Sequence, residues 1–150
     1  MALAKDILVR TLNLADSPEV ARLSGQLGYP VAEAAVRERL GRMLASPTHA
    51  AWAAVRDGKI LGWLAAEIRV TIETEPRVEI TGLVVDEAAR RTGIGQLLVA
   101  QAEQWALQHG YDTVLVRSQV IRAESHPFYQ GLGYERIKTQ HVYKKRVRDM

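Results

Sequence analysis

The sequence predicts an α+β fold, with a mainly antiparallel mixed sheet at its centre and helices against it. Three observations carry that expectation. The segment "HAAWAAVRDGKILGWLAAEIRVTIE" holds two strand-like runs joined by Asp57 and Gly58, a dipeptide that favours a tight hairpin. The run "VEITGLVV", residues 78–85, is apolar on both faces and suits the interior of a sheet. On either side of these runs the apolar residues change to helical spacing.

In chain order, residues 6–12 ("DILVRTL") alternate as a first strand. Asp16 or Ser17 is placed to cap a helix with Pro18 in its first turn, running to Leu27 and ended by "GYP". A second helix spans residues 31–44, with Val36, Leu40, Met43 and Leu44 near helical spacing. The hairpin strands and residues 78–85 follow. Ile94, Leu97, Leu98, Ala102 and Trp105 then form one stripe of a helix over residues 93–109, which Gly110 ends. "DTVLVRS", residues 112–118, is another buried strand. In "SHPFYQGLGY", Ser125 caps a short helix, Pro127 lies in its first turn, and Gly131 or Gly133 stops it. "ERIKTQHVYKKRV" closes the chain as one or two strands. The sum is about six to seven strands and about four helices in one domain, residues 1–150, with no repeat or linker.

With 150 residues, 47% hydrophobic and 25% charged, the chain has the composition of a single globular core rather than a disordered segment. Cysteine is absent, which excludes disulfides, thiolate metal sites and a cysteine nucleophile, and is consistent with a cytoplasmic location. No apolar run approaches the length of about 18 residues needed to span a membrane, and "MALAKDILVR" lacks a secretory apolar region. The net charge is +3, with much of the excess in "YKKRVR". A nucleic-acid surface needs a basic face interleaved with aromatic residues, so neither nucleic acid nor membrane is an expected partner. His49, His109 and His141 are too scattered to suggest a metal site.

The most informative stretch is "VVDEAARRTGIGQLL", residues 84–98, where a strand passes through two arginines and two glycines into a helix. Helix N-termini carry unpaired amide donors and the positive end of the helix dipole. Gly93 and Gly95 let the backbone approach a ligand, Arg90 and Arg91 add positive charge, and successive amides in the turn can form an anion-binding nest. The physical expectation is a phosphorylated ligand, most simply a pyrophosphate. A Walker A loop is absent, and Leu98 stands where a dinucleotide fingerprint needs its third glycine.

This arrangement resembles the GNAT superfamily of N-acetyltransferases, whose central motif Q/R-x-x-G-x-G/A stands here as Arg90, Arg91, Thr92, Gly93, Ile94 and Gly95. The strand "ITGLVV" before it, the amphipathic helix after it and "FYQGLGY" downstream, similar to the family's F-Y-x-x-x-G-F/Y element, extend the resemblance over residues 78–134. It implies acetyl-CoA as acyl donor, its pyrophosphate held by Arg90, Arg91, Thr92, Gly93, Ile94, Gly95 and Gln96, and its pantetheine arm paired with the strand at Leu83, Val84 and Val85. It also implies a homodimer, as a hypothesis, through the terminal strands.

Transfer of an acetyl group to an amine needs the amine neutral, whereas a lysine-like amine with a pKa near about 10.4 is mostly protonated at neutral pH. A base therefore helps, directly or through water, and an acid helps the thiolate leave. The resemblance implies Tyr129 as the acid and Glu79, eleven residues before Arg90, as the base. Strand alternation places Glu79 on one face with Thr81, Leu83 and Val85, and a carboxylate in so apolar a strand requires a partner or an open cleft. Phe128 and Tyr134 are expected to pack, His126 to lie on the surface or against a ligand, and Arg117 and Arg122 to bind anions or flank the strand. Where many relatives have Asn after the strand-ending Ser118, this chain has Gln119. Glu73, Glu75 and Glu79 are candidates to attract a cationic amine, and the acceptor itself is not specified. The expected function is N-acetyl transfer to a primary amine of a small molecule or peptide. The alternative is a non-catalytic acyl-CoA-binding module on the same fold.

Overall fold

The sheet grows from the hairpin at Asp57 and Gly58, whose φ angles of 52° and 75° are the left-handed pair that matches strand twist. It joins β2 (His49–Arg56) to β3 (Lys59–Arg69). The computed structural model describes residues 6–117 and 125–149, and the chain forms two compact units, Met1–Arg117 and Ser118–Met150. In the first unit β1 (Leu8–Thr11), β2, β3, β4 (Arg77–Val85) and β5 (Val114–Val116) lie in that order in one sheet. All neighbours are antiparallel except β4 and β5, which are parallel and, among the described residues, pair at Val78, Glu79 and Ile80.

Helices cover both faces. On one lie α1 (Ser17–Gln26) and α2 (Glu33–Leu44), whose Val20, Leu23, Val36 and Leu40 close a core with Ala51, Ala53, Ala65 and Val84 of the sheet. On the other lies α3 (Ile94–Gln108), burying Ile94, Leu98, Val99, Ala102 and Ala106. Each Leu, Ile or Val so buried contributes about 1.5–3 kcal/mol relative to exposure. The first helix is not capped as expected. Asn13 caps a preceding 3-10 turn, and the Asp16 carboxylate instead takes two hydrogen bonds from Arg10, at 2.8 and 2.9 Å.

α3 ends with Gly110 at φ 84°, where Tyr111 N–H reaches back to the Ala106 carbonyl. The second unit contains α4 (Ser125–Gly131) and repeats this ending, with Gly133 at φ 91° and Tyr134 N–H bonded to the Tyr129 carbonyl. The expected terminal strands do not form. Residues 134–146 enter no ladder among the described residues, and Val147–Asp149 is a 3-10 turn. Among the described residues the sheet therefore has five strands rather than the expected six or seven. Alternation in "ERIKTQHVYKKRV" is a local property, whereas a strand exists only with a neighbour's edge. No helix among the described residues is long and apolar enough to cross a membrane.

Candidate active site

One residue reorganises β4. The pairing of β3 with β4 shifts between Ala65 and Ala66, so that Ala66 faces Ile80, Ala65 faces Gly82, and Thr81 has no partner. This β-bulge reverses the alternation beyond it. Residues opposite one another share a face, so Glu79 lies with Glu67, Ala65, Gly82, Trp63 and Val84 on the side of α1 and α2. Leu83 and Val85 lie with Leu64 and Gly62 on the side of α3, where a Cβ on Gly62 would meet Ile94 and Leu98 at 3.1 and 3.2 Å. The expectation that Glu79, Leu83 and Val85 share a face is thus corrected, because alternation does not survive a bulge.

The same ladder fixes the backbone. Asp86 N–H bonds the Leu61 carbonyl at 2.8 Å, and counting back in twos assigns Val84 and Gly82 to hydrogen bonds with β3. Leu83 and Val85 consequently direct their amide groups away from β3. They do so beyond Ile80, where pairing with β5 has ended among the described residues. Of the three strand residues expected to meet the acyl donor, Leu83 and Val85 present backbone and Val84 does not.

After β4, Asp86 caps a 3-10 turn over Glu87–Ala89, accepting from Ala88 N–H at 3.1 Å. Burial by itself raises the Asp86 carboxyl, but the bonds from Ala88 N–H, Arg22 and Gln26 outweigh it and hold the group below its ordinary value. Arg91 then takes φ 63° and Gly93 φ 87°, immediately before Ile94 starts α3. Alternation of left- and right-handed residues is how a chain turns successive N–H groups inward as a nest. A Cβ on Gly93 would meet nothing within 4 Å, so glycine is needed there for its backbone angle rather than for space. Arg90, Arg91 and Gln96 are exposed, Thr92, Gly93 and Gly95 half-buried, and Ile94 buried in the core.

Glu79 is 3% exposed and heavily paired. Arg117 Nε donates to Oε1 at 2.6 Å, Arg69 Nε lies 3.6 Å from Oε2, and Oε2 is buried without a hydrogen bond. Arg69 also stands 4.0 Å from Glu67, which pairs with His49 at 3.1 Å. Guanidinium groups so placed offset the repulsion of two carboxylates facing one another across the ladder. Glu79 is therefore not free to attract a cationic amine, while Glu73 and Glu75 are exposed in the loop between β3 and β4. Trp63 and Arg69 carried no sequence signal, yet the Trp63 ring lies over Gly82, where a Cβ would come within 2.8 Å.

Tyr129 belongs to the second unit. It is half-buried and packs edge-on against Phe128 and Tyr134, with centroids 5.0 and 6.0 Å apart. His126 is half-buried in the same helix. Ser118, Gln119 and Arg122 lie outside the described residues. Among the described residues no group of three His, Asp or Glu side chains could hold a metal.

The model of the acetyltransferase (GNAT) family matches residues 17–134. The chain belongs to the GNAT family. Human N-acetylaspartate synthetase is 28% identical over 92 residues, 61% of this chain, which spans only 30% of that relative. Aminoglycoside N(6')-acetyltransferase type 1 of Serratia marcescens is 27% identical over 114 residues, covering 73% of this chain and 78% of the relative. The fold is that of aminoglycoside N-acetyltransferase AAC(6')-Iy in complex with CoA, with a TM-score of 0.84, 23% identity and coverage of 93% and 95%. The apo aminoglycoside 6'-N-acetyltransferase AAC(6')-IG from Acinetobacter haemolyticus gives 0.82, 24%, 93% and 99%.

Proposed function

We propose that this GNAT protein is an acetyl-CoA-dependent N-acetyltransferase, acting on a primary amine of a small molecule or peptide by direct attack. The observation that carries the proposal is the turn at Arg91 and Gly93, which closes β4 and opens α3 with two left-handed residues. Residues 90–96 are assigned to the pyrophosphate, and the outward amides of Leu83 and Val85 to the pantetheine arm and thioester carbonyl. The family match runs through both compact units, which supports a single catalytic domain.

Acetyl-CoA supplies an activated acyl carbon and a thiol leaving group. Leu83 or Val85 N–H stabilises the oxyanion formed as the amine nitrogen bonds that carbon. Glu79 removes the amine proton, directly or through a water, at Oε2, which carries no hydrogen bond although Arg69 lies 3.6 Å away. Tyr129 gives its hydroxyl proton to the departing sulfur. We place the enzyme in the cytoplasm on its cysteine-free composition, and as a homodimer on family resemblance, a proposal that a monomer mass in solution overturns. One observation favours a second reading, a non-catalytic acyl-CoA-binding module: the Glu79 carboxylate is already engaged by two arginines.

Calorimetric titration of acetyl-CoA tests the donor assignment. Gly95 lies within α3, so Gly95→Trp adds bulk without the left-handed strain of a change at Gly93. Saturable binding lost in a folded Gly95→Trp protein supports the assignment, and absence of binding to the native chain rejects it. Turnover in a primary-amine screen then separates enzyme from module. A Tyr129→Phe protein with full turnover removes the acid role, for which a fall of about 10²-fold is expected.

A further inference from the structure

The phosphate-loop candidate is tied to a helix that sequence spacing does not connect with it. Arg22 and Gln26 stand one turn apart on α1 and both reach the end of β4. Arg22 Nη2 donates to Asp86 Oδ2 at 3.1 Å, while its Nε is held by Glu19 at 2.7 Å. Gln26 Oε1 accepts the Glu87 N–H at 2.9 Å, and its Nε2 lies 3.5 Å from Asp86 Oδ1.

These contacts continue into the loop. The Asp86 carbonyl accepts the Ala89 N–H at 2.9 Å, and the Ala89 carbonyl accepts the Thr92 hydroxyl. Thr92 stands between the two left-handed residues, Arg91 and Gly93. Each group in the series is thus oriented by the one before it, from α1 to the turn that precedes α3. Asp86 is only 4% exposed, so the series is anchored on a buried carboxylate rather than on a mobile surface contact. The helix does not need these bonds to stay in place, because Val20, Leu23 and Ser24 bury its other side.

We propose that Arg22 and Gln26 are positioning residues for the acyl donor: through Asp86 and Glu87 they set the conformation in which residues 90–96 receive a pyrophosphate. This rests on the assignment of that loop to coenzyme A. Its loss would weaken ligands that carry the pyrophosphate and spare those that lack it, a selectivity that mere loosening of the fold would not produce.

The experiment compares coenzyme A with pantetheine, which has the thiol arm but no pyrophosphate, by calorimetry on the full chain. Gln26→Leu and Arg22→Met are expected to raise the Kd for coenzyme A about tenfold with pantetheine affinity nearly unchanged, although Arg22→Met also lowers the melting temperature by removing a partner of the buried Asp86 carboxylate. Arg22→Lys, which keeps the charge, recovers part of the loss. Unchanged coenzyme A affinity in Gln26→Leu overturns the proposal, as does parallel weakening of both ligands together with a lower melting temperature. Gly95→Trp is the separate control. If it binds coenzyme A normally, the loop assignment fails, and the positioning role fails with it.

Discussion

The two ends of β4 work by different means. Near Arg77 the strand offers a side chain: Glu79, buried and gripped by Arg117 and Arg69. Near Val85 it offers backbone, the outward amides of Leu83 and Val85, while its side chains stay in apolar surroundings. One unpaired residue, Thr81, separates these regimes. A bulge thus lets one strand place a charge on one face and then turn amides away from β3, without leaving the sheet.

The largest expected effect falls at the side-chain end. Arg117→Met should cost about 3 kcal/mol in denaturant unfolding, the low end for breaking a buried pair, because Arg117 is half exposed and Arg69 remains. A cost below about 0.5 kcal/mol, the range of ordinary surface changes, would mean that Glu79 does not depend on this partner.

Gly82→Ala, just past the bulge, should cost about 1–3 kcal/mol by driving a Cβ into the Trp63 ring. Most of that cost should vanish in a Trp63→Leu background. Additive losses would show that the ring is not what requires glycine.

Replacing single backbone amides by esters sharpens the contrast at the other end. At Val84 the ester should cost about 1 kcal/mol of stability, whereas at Leu83 it should leave stability unchanged and weaken acetyl-CoA binding. Equal stability losses at both positions would refute the ladder phase on which the outward amides depend.

The smallest effect is a pH dependence. The folded Asp86 carboxyl sits below its unfolded value, so its contribution is present above the ordinary carboxylate range and is lost as pH falls through the folded value. Asp86→Asn should therefore lose stability less steeply than the native chain below about pH 4. Identical acid slopes would show that the bonds from Arg22, Gln26 and Ala88 do not favour the charged form.

What the sequence made legible was mostly local. Asp57 and Gly58 announce their hairpin because both angles are left-handed, and Gly110 ends α3 for the same reason. The arginine–glycine loop stood out because its residue types are needed within a few positions of one another. Thr81 gave no such sign, since a bulge is defined by the partner strand's register. Glu79 was visible as a carboxylate in an apolar run, but its face and its partner Arg117, 38 positions away, were not. Arg22 and Gln26 escaped notice likewise, being 64 and 60 residues from Asp86. The terminal strands failed for the complementary reason, since a local alternation was legible but its partner edge was not.

The order of strands in the sheet is their order in the chain. The hairpin of β2 and β3 and the loop before β4 close over short separations, whereas β1 reaches its partner β2 only across α1 and α2, with Leu8 paired to Val55 and Thr11 to Trp52. The parallel pairing of β5 likewise spans a crossover, with α3 covering one face between Val78 and its partner Val114. Among the described residues that pairing is three residues long and includes Glu79, whose carboxylate accepts a hydrogen bond from Arg117, just past β5. The charged end of β4 is thus completed across a helical crossover, whereas β2 and β3 meet through the two-residue turn at Asp57 and Gly58.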